Sequence, residues 1–108
     1  PFDRWVKPSC MLVCEDNYSN AHGTPWLYKE MGIGKLIGAP VPGTMTAVWW
    51  ENIGQYTFGI PQVGTKDNRG NYLENQQLEP DIECYVTPED MLHGVDTQIQ
   101  AAVKELMK

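Results

Sequence analysis

PSCMLVCEDNYSNAHGTPWLYKEMGIGKLIG, running from Pro8 to Gly38, decides the fold of this 108-residue chain. Ser9 to Cys14 is a short apolar stretch between Lys7-Pro8 and the polar Glu15-Asp16-Asn17, the pattern of a buried strand entering a turn. Farther on, Pro25 suits a first helical position behind a Thr24 cap, with Leu27, Tyr28 and Met31 on one face. Gly32 and Gly34 end that helix, and Lys35-Leu36-Ile37-Gly38 begins a second strand. A strand, a crossover helix and a parallel strand define an α/β fold class.

Downstream the pattern changes. Thr46 to Trp50 and Tyr56 to Val63 are rich in β-branched and aromatic residues around Asn52-Ile53-Gly54, which predicts an added β-hairpin. Adjacent strand residues point to opposite faces, so one of Trp49 and Trp50 is expected in the core and the other under a further domain. Asp67 to Asn71 is a turn cluster, after which Tyr72-Leu73-Glu74 is expected to resume pairing. A last short strand is expected over Asp81 to Val86. Thr87-Pro88-Glu89-Asp90 is a helix start, and Ile99, Ala102, Val103 and Leu106 give the terminal segment an apolar face.

Composition narrows the functions available. Apolar residues make up 42% and charged residues 20%, which fits one globular domain and neither a disordered tail nor a coiled coil. The net charge of −6, with no Lys/Arg cluster, disfavours a nucleic acid partner. Apolar runs such as Met11 to Val13 are far too short for a membrane span. The start at Pro1-Phe2-Asp3, without an initiator Met, leads us to expect either a longer precursor or an artificial boundary upstream. Cys10, Cys14 and Cys84 have neither disulfide nor zinc spacing. On one strand Cys10 and Cys14 lie roughly 13 Å apart, so buried free thiols are expected. Glu79, Asp81 and Glu83 alternate as a solvated acidic face does, and Gly32-Ile33-Gly34-Lys35 lacks the spacing of a phosphate loop. No metal or cofactor is implied.

Chemistry concentrates after the first strand. In Tyr18-Ser19-Asn20-Ala21-His22-Gly23 a strand end positions a serine, and the free N–H groups of the following helix can face an oxyanion. Serines in this setting are far more often caps than nucleophiles, and no GxSxG elbow is present. His22 reads as structural or solvent-facing, and His93, before Gly94, as a surface residue.

The run LVCEDNYSNAHGTPWLYKEMGIGKLIGAPVPGTM, followed by LENQQLEPDIE and the closing amphipathic segment, resembles the catalytic core of the tail-specific, or carboxyl-terminal-processing, serine proteases. It is most similar to their tricorn-like branch. The resemblance spans Pro8 to Lys108 and implies a crotonase-like core fragment with a short parallel sheet, crossover helices and an added β-hairpin. Residues 1–108 then form the C-terminal part of the catalytic domain. In the family pattern the nucleophile precedes the strand-ending glycine, here Gly38, by nineteen residues, which selects Ser19. Members with a Ser/Lys dyad carry lysine where this chain has Thr44, and Lys35 stands where tricorn-like members carry a lysine they do not use as base. The tricorn-like scheme implies an upstream histidine as base, Glu74 as its supporting acid, with Glu79 as the fallback, and the Asn20 N–H in the oxyanion hole. Asn20 replaces the usual Asp, and Gln77-Leu78 replaces a usual Gly.

The function implied is serine endopeptidase chemistry through an acyl-enzyme, in a longer chain whose isolated fragment is inactive. The partners are a peptide or protein substrate and the remaining N-terminal part of the protease. The alternative is a non-catalytic, protease-like domain that binds peptides or scaffolds a partner. A periplasmic or otherwise exported location is expected, with the cytoplasm as the alternative.

Overall fold

The structure is a computed structural model that describes residues 4–108. Strands β1 (Cys10–Val13) and β2 (Lys35–Gly38) pair in parallel, with Met11 opposite Leu36 and Val13 opposite Gly38. A third strand, β5 (Ile82–Glu83), pairs in parallel with the other side of β2, giving the order β1-β2-β5. The crossover between β1 and β2 is helix α1 (Asn20–Glu30). Being central and parallel, β2 is covered on both faces, and Leu36 and Ile37 are fully buried. Leu36 packs with Val13, Tyr28, Val41 and Leu78, and Met11 and Trp26 close over them. Gly38 has φ 140°, and a Cβ there would lie 1.8 Å from the Val13 carbonyl oxygen, so the strand ends on a residue without a side chain.

Helix α1 starts at Asn20, four residues before the expected Thr24 cap, and contains Pro25. Pro25 lacks the amide that would bond to the Ala21 carbonyl. The Asn17 side chain supplies a substitute, its Nδ2 donating to Ala21 O at 2.6 Å. The helix buries His22, Gly23, Pro25 and Tyr28, whereas Leu27 and Met31, expected on the buried face, are exposed.

The strand expected over Asp81 to Val86 forms only at β5. Its partner β2 stops at Gly38, and Cys84 N–H bonding to Gly38 O closes the ladder. Asp81 fastens this edge: its carboxylate accepts from Leu36 N–H at 2.8 Å and pairs with Lys29 at 3.1 Å. The opposing cost of burial is the largest single influence on Asp81, but these partners together hold its carboxyl below the usual range.

Strands β3 (Thr46–Ile53) and β4 (Tyr56–Gly64) form the expected antiparallel hairpin, with a register shift between Ala47 and Val48 where Pro61 enters β4. Both Trp49 and Trp50 are exposed, at 60% and 67%, so neither is a core residue. Tyr72 pairs only as an isolated bridge with Lys66. Helix α2 (Pro88–Leu92) opens on a capping box: Thr87 Oγ1 accepts from Asp90 N–H, and the Asp90 carboxylate accepts from Thr87 N–H. Helix α3 (Thr97–Leu106) packs on β1 and β2, but of the expected stripe only Ala102 is turned inward. Ile99, Val103 and Leu106 are exposed, while Gln98, Ala101, Ala102 and Glu105 are half-buried. Polar anchors set that rotation: Gln98 donates to Cys84 O at 3.0 Å and Lys35 pairs with Glu105 at 2.6 Å. Cys10, Cys14 and Cys84 are free and half-buried.

Candidate active site

The turn between β1 and α1 is built by Asn17. Its Oδ1 accepts from Cys14 N–H at 3.0 Å and from the Cys14 thiol at 3.2 Å, and its N–H donates to Cys14 O at 3.1 Å. Together with its bond to Ala21 O, one side chain ties the strand end to the first helical turn. Tyr18 and Ser19 are bracketed between those two anchors.

Ser19 occupies the N-cap position with φ 55° and ψ −116°, and its side chain makes no capping hydrogen bond. A positive φ at a non-glycine residue costs on the order of 1–3 kcal/mol and persists only where surrounding structure enforces it. The sharp strand-to-helix turn thus holds a half-buried hydroxyl that the helix itself does not use. Asn20 is exposed at the first helical position, where an N–H has no intrahelical acceptor. Beside it lies an open concavity of about 410 Å³ lined by Met11, Asn17, Asn20, Ala21, Thr24 and Pro25.

Glu74 reaches the same end of α1 by a different route. Val41 and Leu78 exchange backbone bonds, Asn75 N–H bonds to Gly43 O, and Leu73, buried, donates its N–H to Thr65 O at 2.9 Å. These contacts pin 73–78 beside 41–46. The Glu74 Oε2 accepts from Met45 N–H at 2.6 Å and from the Thr46 hydroxyl at 2.7 Å. The Met45 amide, and then the Thr46 hydroxyl, hold the Glu74 carboxyl below the usual range, so it is a carboxylate at neutral pH.

Glu79 lies elsewhere. Its carboxylate accepts from Gln77 Nε2 at 2.8 Å, and its carbonyl accepts from Lys29 at the last turn of α1. Ten helical residues, or roughly 15 Å, separate Lys29 from Ser19, so Glu79 sits at the far end of the helix. Lys35 is paired with Glu105.

Of the structural and solvent-facing roles expected for His22, its burial selects the structural one. His22 is completely buried one turn after Ser19, and its polar neighbours are the Thr44 backbone and the Glu74 carboxylate. Burial pushes the imidazole below its ordinary pKa, against the opposing pull of Thr44 and Glu74. Ser19 and Glu74 are therefore brought to one end of α1 with His22 between their supports. His93 is exposed, with its Nδ1 2.8 Å from Glu89 O. Among the described residues no cluster of His, Cys, Asp and Glu suits a metal ion, and no helix is long and apolar enough to cross a membrane.

The sequence profile of Peptidase family S41 matches residues 2–84, most of the chain and all of this site. The chain belongs to peptidase family S41. Within the family it is tricorn-like. It is 24% identical over 119 residues to a Sulfurisphaera tokodaii protein named as a tricorn-like protease C-terminal subunit, covering 100% of this chain and 13% of that protein. A Chlamydia pneumoniae protein is 29% identical over 116 residues, covering 99% of this chain and 18% of the relative. The crystal structure of the tricorn protease superposes with a TM-score of 0.75 at 25% identity, over 90% of this chain and 10% of the tricorn chain. This S41 chain thus spans less than a fifth of the length of each of these three proteins. Its mixed α/β architecture around a small sheet is that of the S41 structures.

Proposed function

We propose that this chain supplies the nucleophile and the supporting acid of a serine endopeptidase, on a crotonase-like core completed by the rest of the protein. The observation that carries the reading is the Ser19 turn. A cap residue would adopt extended backbone and accept a hydrogen bond from the helix, whereas Ser19 is strained and its hydroxyl is left for other chemistry.

In this scheme Ser19 Oγ attacks a peptide carbonyl carbon as its proton passes to a histidine contributed from outside this chain. The carbonyl oxygen becomes an oxyanion facing the Asn20 N–H, and collapse expels the amine, which takes the proton from the imidazolium. Water then hydrolyses the acyl-enzyme. Glu74, ionised and fixed by Met45 and Thr46, orients and stabilises that histidine. The concavity lined by Met11, Ala21 and Pro25 receives an apolar substrate side chain beside the scissile bond.

Treatment of the full-length protein with a fluorophosphonate probe, followed by peptide mapping, tests this. Labelling confined to Ser19 and lost in Ser19→Ala is expected. Intact folded protein that takes up no label at Ser19 would instead be the peptide-binding scaffold.

A further inference from the structure

We infer that His22 is a positioning residue of this site, a buried imidazole that locks the turn carrying Ser19 against the 44–46 segment that holds Glu74. The inference rests on the reading of Ser19 and Glu74 given above and adds the part that couples them.

His22 is 0% exposed, and neither ring nitrogen completes a hydrogen bond among the described residues. Burying polar nitrogens in this way costs on the order of 1–3 kcal/mol, so an apolar side chain would serve a purely packing role better. The ring is not isolated, however, because the Thr44 backbone and the Glu74 charge both act on it.

A second close approach shows how tightly this turn meets the same segment. A Cβ on Gly23 would come within 2.5 Å of the Met45 methyl, so the helix backbone lies directly on Met45. Met45 and Thr46 in turn donate to Glu74 at 2.6 and 2.7 Å. The path from nucleophile to acid is therefore short. Ser19 is followed one helical turn later by His22 and Gly23, Gly23 lies against Met45, and Met45 and Thr46 grip the carboxylate.

A neutral imidazole has one donor and one acceptor nitrogen. Burial favours that neutral form, and its N–H can donate to the Thr44 carbonyl. Catalytic hydrogen bonds are often long until substrate binds, and a slight closure of 44–46 onto α1 completes this one. The bond would set the Glu74 cradle and the Ser19 turn in register at the moment of acylation.

The test uses full-length protein carrying His22→Phe, His22→Asn or His22→Gln, with folding followed by thermal melts and Ser19 acylation by the fluorophosphonate read as kinact and KI. The phenylalanine variant should lose roughly 10- to 100-fold in kinact at nearly unchanged KI, since small misplacements of reacting groups cost about that much. One of the two amides, whichever places its nitrogen on the donor atom, should recover most of the rate. Nitrogen-15 NMR of the unmodified protein at neutral pH should show a single neutral tautomer. Wild-type kinact in the phenylalanine variant overturns the inference, as does a ring that averages tautomers and titrates near ~6.5. Should that variant not fold, the tautomer measurement decides alone. Failure of Ser19 labelling in the unmodified protein counts against the peptidase reading instead, and the NMR arm still reports whether His22 is locked.

Discussion

The sheet side of the molecule and its hairpin are made from similar apolar residues but use them differently. Around β2 the chain buries Val13, Leu36, Ile37, Ala39, Val41, Leu73 and Leu78 almost completely. Along β3 and β4, Trp49, Trp50, Ile53, Tyr56 and Val63 are all at least 60% exposed, and the two strands pack chiefly on each other. The radius of gyration, 17.2 Å, reflects this projection, since a compact domain of this length has about 13 Å. A lone two-stranded hairpin is marginal in water. The comparison teaches where rigidity is available: the strained Ser19 turn and the Glu74 cradle belong to the buried side, and the hairpin touches the site only at its base, where Thr46 opens β3 and donates to Glu74.

The sharpest way to break that division is at Glu74. If the carboxylate orients the base, Glu74→Gln in the full-length protein should lower kcat roughly 10²- to 10³-fold at nearly unchanged KM, less than the ~10⁴ seen when a Ser-His-Asp acid is neutralised. Glu79→Gln, at the opposite end of α1, should leave turnover intact. Side-by-side peptidase assays with melts as the folding control check this, and a loss carried by Glu79 would move the acid out of the cradle described here.

A smaller contrast concerns stability. Leu36→Ala removes a fully buried side chain from the centre of the core and should cost about 2–5 kcal/mol. Trp50→Ala removes a larger side chain that is 67% exposed here, and should cost less than ~1 kcal/mol if no other part of the protein covers it. Denaturant unfolding of the full-length variants compares the two. A Trp50→Ala loss equal to that of Leu36→Ala would show that the hairpin is packed into the parent protein, and the contrast would belong to this chain alone.

How much of this was legible in the sequence follows the same line. β1, β2, their crossover and the hairpin stood out because their apolar runs and turn residues are local signals. The start of α1 did not, because Pro25 is a strong first-position signal and only the spatial donation from Asn17 to Ala21 O explains a proline inside the helix. The stripe of Ile99, Ala102, Val103 and Leu106 predicted a helix correctly, but only Ala102 of the four is turned inward, since Gln98 and Glu105 set the rotation through partners far away in sequence. At the site, Ser19 and Glu74 were reached through family resemblance, not from spacing alone. The resemblance put Glu74 first and Glu79 as the fallback, and the Val41–Leu78 pairing that carries 73–78 alongside 41–46 has no local signal in the sequence. His22 offered only its place one turn after Ser19, too weak a signal to reveal a neighbour more than fifty residues away.

The smallest effect we expect is also the one most specific to the buried side. Ser19 pays for its geometry with a φ of 55° that no L-residue favours and glycine adopts freely. Relief of about 1–3 kcal/mol of strain is partly offset by the extra freedom glycine gives the unfolded chain, worth about 0.4–1 kcal/mol, so Ser19→Gly should raise stability by about 1 kcal/mol. Ser19→Ala keeps the strain and should stay within about 0.5 kcal/mol of the parent. Both variants should lose peptidase turnover, so the pair separates chemistry from conformation. Denaturant midpoints of the three full-length proteins supply the measurement. A glycine variant no more stable than the alanine variant would mean that the turn is not strained in solution, and with it would go the main reason for reading Ser19 as a nucleophile instead of a cap.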